Sequence, residues 1–140
     1  MEKIPYVRPT DQRHNFGCGV ACLAFVLKID YSQVVYSLGE VKAKERGFYC
    51  GDLVEFLLRF NRVYSSRYIK PRLKKQIYRN GVVVFIKRTR KYPVGHYLTY
   101  FNAKWMDPWI NFPRNKNIGE AKAGFRKKLP GTPIYALFPE

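Results

Sequence analysis

Helical patterns in the first half and strand patterns in the second predict an α+β fold for this chain of 140 residues, with helices packed on one side of an antiparallel sheet. Two runs carry that reading. VACLAFVLKI, residues 20–29, is apolar on nearly every side, as a fully buried helix is. VVVFI, Val82 to Ile86, is a continuous β-branched run, the mark of a central strand buried on both faces. In order along the chain, Gly17 and Gly19 let the backbone turn tightly into a helix that begins at about Cys18. Asp30 with Gln33 resembles a capping box opening a short helix, Tyr31 to Leu38, closed by Gly39. A basic loop runs on to Tyr49, and Asp52 with Glu55 repeats the box spacing ahead of a third helix, LVEFLLRFN. Pro71 suits a helix first turn, so LKKQIYRN is expected to make up to two turns ending at Gly81. After Val82–Ile86, KRTRKYPVG is a loop; His96 to Phe101 alternates, Asn102-Ala103 can turn, and Lys104 to Asp107 returns until Pro108 stops it. A long polar, basic segment then precedes a last strand, Pro133 to Phe138.

The length is that of one domain, residues 1–140, able to bury about 68% of its unfolded surface. With 11 Tyr, 10 Phe and 2 Trp the chain is too aromatic for a disordered tail. No apolar stretch approaches the roughly 18 residues that cross a bilayer, and MEKIPYVRPTDQR lacks the pattern of a signal peptide, so a cytoplasmic location is expected. Three Cys argue against a disulfide scaffold and for free thiols. The net charge is +16, and no acidic residue occurs from Phe56 to Met106. Such a field concentrates anionic partners, whether an acidic protein or peptide, nucleic acid or a membrane surface, or it serves only as a solvated face.

Cys18 stands where nucleophiles are often found, at the first turn of a buried helix, whose partial positive charge favours thiolate. A lone Cys in an apolar stretch can also simply pack. Cys22 reads as core, and Cys50 has no visible partner. The reading sharpens at His96 and Asp107. In a hairpin turning around Phe101–Ala103, facing residues have numbers summing to about 203, which sets His96 opposite Asp107 on one face, with Cβ atoms about 4.5–5.5 Å apart. A carboxylate can then hold one imidazole nitrogen and leave the other for the thiol, the orienting group that a cysteine nucleophile needs. A slip of one residue would part them. Gln12, six residues before Cys18, carries an amide able to join the Cys18 N–H as an oxyanion donor pair, an effect of about 3–4 kcal/mol; most such glutamines lie on the surface. His14 reads as loop surface. There is no zinc spacing, phosphate loop or paired carboxylate, so no metal or cofactor is expected.

DQRHNFGCGVACLAFVL, GHYLTY at 95–100 and DPW at 107–109 together resemble the papain-like bacteriocin-processing peptidases, which cut double-glycine leader peptides. The order and spacing hold from Tyr6 to Pro139. The resemblance implies a papain-like fold, Cys18 as nucleophile, His96 as general base, Asp107 as orienter and Gln12 as oxyanion donor. One position departs: the family usually has Asp immediately before the nucleophile, and here it is Gly17. The expected activity is that of a freestanding cysteine peptidase, or a relative using the same thiol as deamidase or acyl transferase, on an acidic peptide or protein. Two other readings fit the residues. One is a papain-fold toxin or effector acting on a bacterial target or RNA, with an acidic immunity or inhibitor protein as partner. The other is a catalytically silent basic module that grips nucleic acid or another anion through aromatics interleaved with cations, as in FNRVYSSRYIK.

Overall fold

A computed structural model describes residues 9–140; Tyr6, where the resemblance begins, and most of the stretch judged for a signal peptide lie outside them. Four helices, α1 (Cys18–Leu27), α2 (Tyr31–Leu38), α3 (Glu40–Glu45) and α4 (Cys50–Leu58), precede six strands. These are β1 (Tyr64–Tyr68), β2 (Val83–Ile86), β3 (His96–Phe101), β4 (Lys104–Asp107), β5 (Gly124–Arg126) and β6 (Pro133–Pro139). They form one sheet in the order β1-β6-β2-β3-β4-β5, every neighbouring pair antiparallel. The architecture is the expected α+β one.

The period of the strands explains the layering. Val83, Tyr97, Met106 and Leu137 point to one face, where they pack with the residues of α1, α2 and α4. Gly19 through Phe25 are all buried, so α1 is a core helix rather than a surface one. Val84, Ile86, Leu98 and Trp105 point to the other face, which loops cover with Ile69, Ile77 and Tyr92. The β2 run is therefore apolar throughout because both of its faces are covered.

Several local expectations need correction. Asp30 does precede α2, but its side chain makes no cap bond; the helix is anchored by burial of Tyr31, Val34 and Val35. The segment read as a basic loop contains α3, supported by a Lys44–Glu40 ion pair one turn apart at 3.1 Å. Helix α4 starts at Cys50, so Asp52 lies inside its first turn, where the carboxylate accepts the Tyr49 amide at 3.0 Å. The segment after Pro71 makes only a short 3-10 turn, Pro71–Leu73. Of its apolar side chains only Ile77 is fully buried, too little to hold a helix against exposed Lys74 and Lys75. Strands β1 and β5 were not foreseen. β1 is mostly exposed, and three-residue β5 sits in the polar segment at the sheet edge.

Candidate active site

Cys18 is the first residue of α1, so its side chain leaves the helix where the free N–H groups of the first turn point. The amide of Tyr97, in β3, donates to its sulfur at 3.5 Å and fixes the helix end against the strand. Gly17 has a steric reason to be glycine: a Cβ there would run into the Tyr31 hydroxyl. Tyr31 thus fills the space beside Gly17, the sequence position at which the resembling family usually has Asp.

The β3–β4 hairpin turns on Asn102 and Ala103 alone, both at positive φ, and pairs Phe101 with Lys104, Tyr100 with Trp105 and Thr99 with Met106. Facing numbers therefore sum to 205, two more than expected. The reason is the turn: a two-residue loop with both φ positive follows the twist of the strands. Because the shift is two residues and not one, the faces are preserved. His96 and Asp107 are diagonal neighbours rather than directly opposed, and His96 Nε2 meets Asp107 Oδ1 at 2.6 Å. Both are buried, 5% and 0% exposed.

Asp107 is held at three points. Besides His96, the Trp109 amide donates to Oδ1 at 3.0 Å and Arg126 Nη1 donates to Oδ2 at 2.9 Å. Burial, the largest influence, pushes its pKa up, but His96, the Trp109 amide and Arg126 more than reverse this and hold the carboxyl below its ordinary range. For His96, burial is again the largest influence and disfavours the charged ring. Asp107 and the neighbouring Cys18 outweigh it, and the imidazole keeps its proton well above the usual histidine range. Tyr92 stacks on the ring at 5.2 Å between centroids and closes it from water. With Nε2 engaged by Asp107, Nδ1 is the ring nitrogen not committed to the carboxylate, and the bond from the Tyr97 amide brings the Cys18 sulfur to the residue next to His96. Gly95, just ahead, sits at φ +77°, and any side chain there would strike the Phe85 ring, so the glycine of the GHY segment sets the approach of His96.

Gln12 is buried and tied to the Asp107 loop, its amide donating to the Pro108 carbonyl at 3.2 Å. Its side-chain Nε2 donates to the carbonyls of His14 at 3.0 Å and Asn15 at 3.3 Å. In this state both amide protons brace the loop ahead of Cys18. Presenting one to an oxyanion requires exchanging a loop bond. His14, expected as loose surface, is half-buried: it stacks on Tyr31, and its Nδ1 lies 2.9 Å from the Tyr31 hydroxyl. Cys22 is fully buried, and burial raises its thiol pKa well above normal.

Sequence reasoning missed Arg126, one cation among many in a stretch without a pattern, and it missed the place of Cys50. Cys50 opens α4 and lies 3.6 Å from the Tyr97 hydroxyl, which donates to the Phe48 carbonyl at 2.9 Å. Tyr97 thereby clamps the Phe48–Cys50 segment beside Cys18, and together they line a cleft of about 670 Å³. Among the described residues no group of three or more His, Cys, Asp or Glu could hold a metal ion, and no helix is long and apolar enough to cross a membrane.

No protein-family model matches the sequence, and no curated protein matches it. Solved structures do. The peptidase domain of Streptococcus ComA, a bifunctional ABC transporter involved in a quorum-sensing pathway, superposes with a TM-score of 0.61 at 16% identity, over 96% of this chain and 98% of that one. Nearly the whole chain thus has the fold of the ComA peptidase domain, and the resemblance read from three short motifs holds at the level of the fold.

Proposed function

We propose that this chain is a papain-like cysteine peptidase. The observation that carries the reading is the 2.6 Å His96–Asp107 pair behind a cysteine that starts a helix and lines a cleft. The pair keeps the ring charged and oriented, and the reacting form is the Cys18 thiolate next to that imidazolium. The Cys18 sulfur attacks a peptide carbonyl carbon, forming a C–S bond while the carbonyl π electrons move to oxygen. The oxyanion is met by the Cys18 N–H and, once released from its loop bond, the Gln12 amide. As the tetrahedral intermediate collapses, the C–N bond breaks, His96 gives its proton to the leaving amine, and a thioester remains. Neutral His96 then takes a proton from water, whose oxygen attacks the thioester; the acid departs and the thiolate–imidazolium pair returns. Asp107 stays ionised throughout because Arg126 compensates it when the ring is neutral. Deamidation and acyl transfer share the same thioester and differ only in which amine leaves and what attacks next.

The test is mass spectrometry of a cell lysate incubated with the wild type and with Cys18→Ala. New peptide termini that appear with the wild type alone are expected. Deamidated side chains without new termini would replace the peptidase by a deamidase, and identical samples would remove the enzyme reading.

A further inference from the structure

What marks the cleft is that cations face one another across it. Its lining contains no Asp or Glu, yet three exposed cations stand on it, and they come from both walls. Arg46, which follows α3, belongs to the helical wall; Lys87 and Arg88, which follow β2, belong to the sheet wall. None of the three has a carboxylate partner among the described residues, as is true of most Lys and Arg of this chain, and the few cations that do pair, Lys44, Arg59 and Arg126, lie elsewhere. Arg46 is placed over the ring of Tyr49 at 5.2 Å, which holds its guanidinium at the lip. Between the walls the surface is apolar and aromatic, and Tyr49, Val94 and Tyr135 stay exposed at 71%, 45% and 40%. A glycine pair needs no such room: about 670 Å³ with aromatic walls accepts bulky side chains.

Resting on the peptidase reading, we propose that the cleft selects peptides that place a large apolar side chain between its walls and acidic side chains on the Arg46, Lys87 and Arg88 rim. Unpaired cations on two facing walls focus their field into the gap between them. A carboxylate entering there gains charge-assisted hydrogen bonds, and nothing of like charge repels it. An aromatic, cationic groove also suits single-stranded nucleic acid. The peptide is favoured because the cleft ends on Cys18, and a thiol beside an imidazole acts on a carbonyl.

The experiment uses the whole chain carrying Cys18→Ala, so that binding is separated from turnover. Three fluorescein-labelled probes are compared by anisotropy: a peptide of alternating Glu and Phe, the same peptide with Gln for Glu, and a 12-nucleotide single-stranded RNA. The Glu–Phe peptide is expected to bind about tenfold more tightly than its Gln counterpart, and Arg46→Glu with Arg88→Glu is expected to abolish that difference. The otherwise wild-type enzyme should then cleave a proteome-derived peptide library at sites rich in Asp, Glu and large apolar residues, and the doubly reversed enzyme at sites that have lost the acidic preference. Equal binding of the Glu and Gln peptides, or RNA binding tighter than the Glu–Phe peptide and lost in the same double variant, overturns the proposal. The two readings fail separately. Cleavage without acidic preference leaves a peptidase and removes the rim; selective binding without cleavage keeps the rim and removes the peptidase.

Discussion

The two sides of Cys18 are built on opposite principles. On one side, His96, Asp107, Arg126 and Trp109 form a buried chain in which every charge has a partner within 3.0 Å. On the other, Arg46, Lys87 and Arg88 are exposed and make no ion pair among the described residues. In the first region the electrostatic energy is already spent inside the protein, on holding one proton and one ring orientation. In the second it is unspent and available to whatever enters. In the proposed peptidase, reactivity is thus set in advance and selection is left to the substrate.

The largest effect expected from disturbing this contrast comes from unpairing the buried side. Arg126→Met leaves the Asp107 carboxylate short of one partner. It should cost about 3 kcal/mol near neutral pH, the low end for a broken buried pair because Arg126 is itself partly exposed. The pH dependence carries the signature. Asp107 has a lowered pKa, so its stabilisation is present above the ordinary carboxylate range and is lost as pH falls through the folded value. The difference between wild type and variant in thermal unfolding should be widest near pH 7 and close as both carboxyls protonate at acid pH. A difference that persists undiminished at pH 3 would make Arg126 a packing residue only.

His96 behaves in the opposite sense. Its raised pKa means that its stabilisation is complete below about pH 6.5, the unfolded value, and is lost as pH rises through the folded one. The buried pair therefore stabilises from both limbs, and stability should fall on the acid side through Asp107 and on the alkaline side through His96. In His96→Ala the alkaline fall should disappear while the acid fall remains.

The smallest effect lies at the hairpin turn, which sets the register of both residues. Ala103 has φ +63° and Asn102 has φ +50°. A left-handed alanine costs about 1 kcal/mol, so Ala103→Gly should stabilise by about half that, once glycine's greater freedom in the unfolded chain is deducted. Denaturant unfolding checks it; a loss of stability would mean that the turn does not need positive φ at 103.

The same contrast explains what could be read from the sequence. Buried, periodic segments announced themselves: α1 by an apolar surface all round, β2 by the β-branched run that begins one residue ahead of it at Val82, the hairpin by alternation around Asn102-Ala103. His96 and Asp107 were placed on one face although the facing register was off by two, because parity survives an even shift. What escaped was built from exposed or scattered residues. β1 shows no alternation because most of it faces water, and Arg126 lies in three-residue β5, which has no period to detect. Arg46 lies 41 residues before Lys87 and reaches the same cleft only through the fold. The role of Tyr31 next to Gly17 is likewise a tertiary fact, set by packing α2 against the start of α1.

In the proposed site the charged His96 makes Cys18 the reactive thiol of the three. Alkylation by iodoacetamide at about pH 5.5, followed cysteine by cysteine by mass spectrometry, tests it without any substrate, because the thiolate is the species that reacts. Cys18 should be labelled first, Cys50 later although it shares the cleft, and Cys22 last because burial holds it as a thiol. His96→Ala should slow Cys18 at least tenfold, a loss of about 1.4 kcal/mol, and Gln12→Ala should leave the rate nearly unchanged, since that amide acts on the transition state and not on the resting thiol. Labelling of Cys50 ahead of Cys18, or a Cys18 rate indifferent to His96→Ala, would contradict the pairing of this thiol with His96.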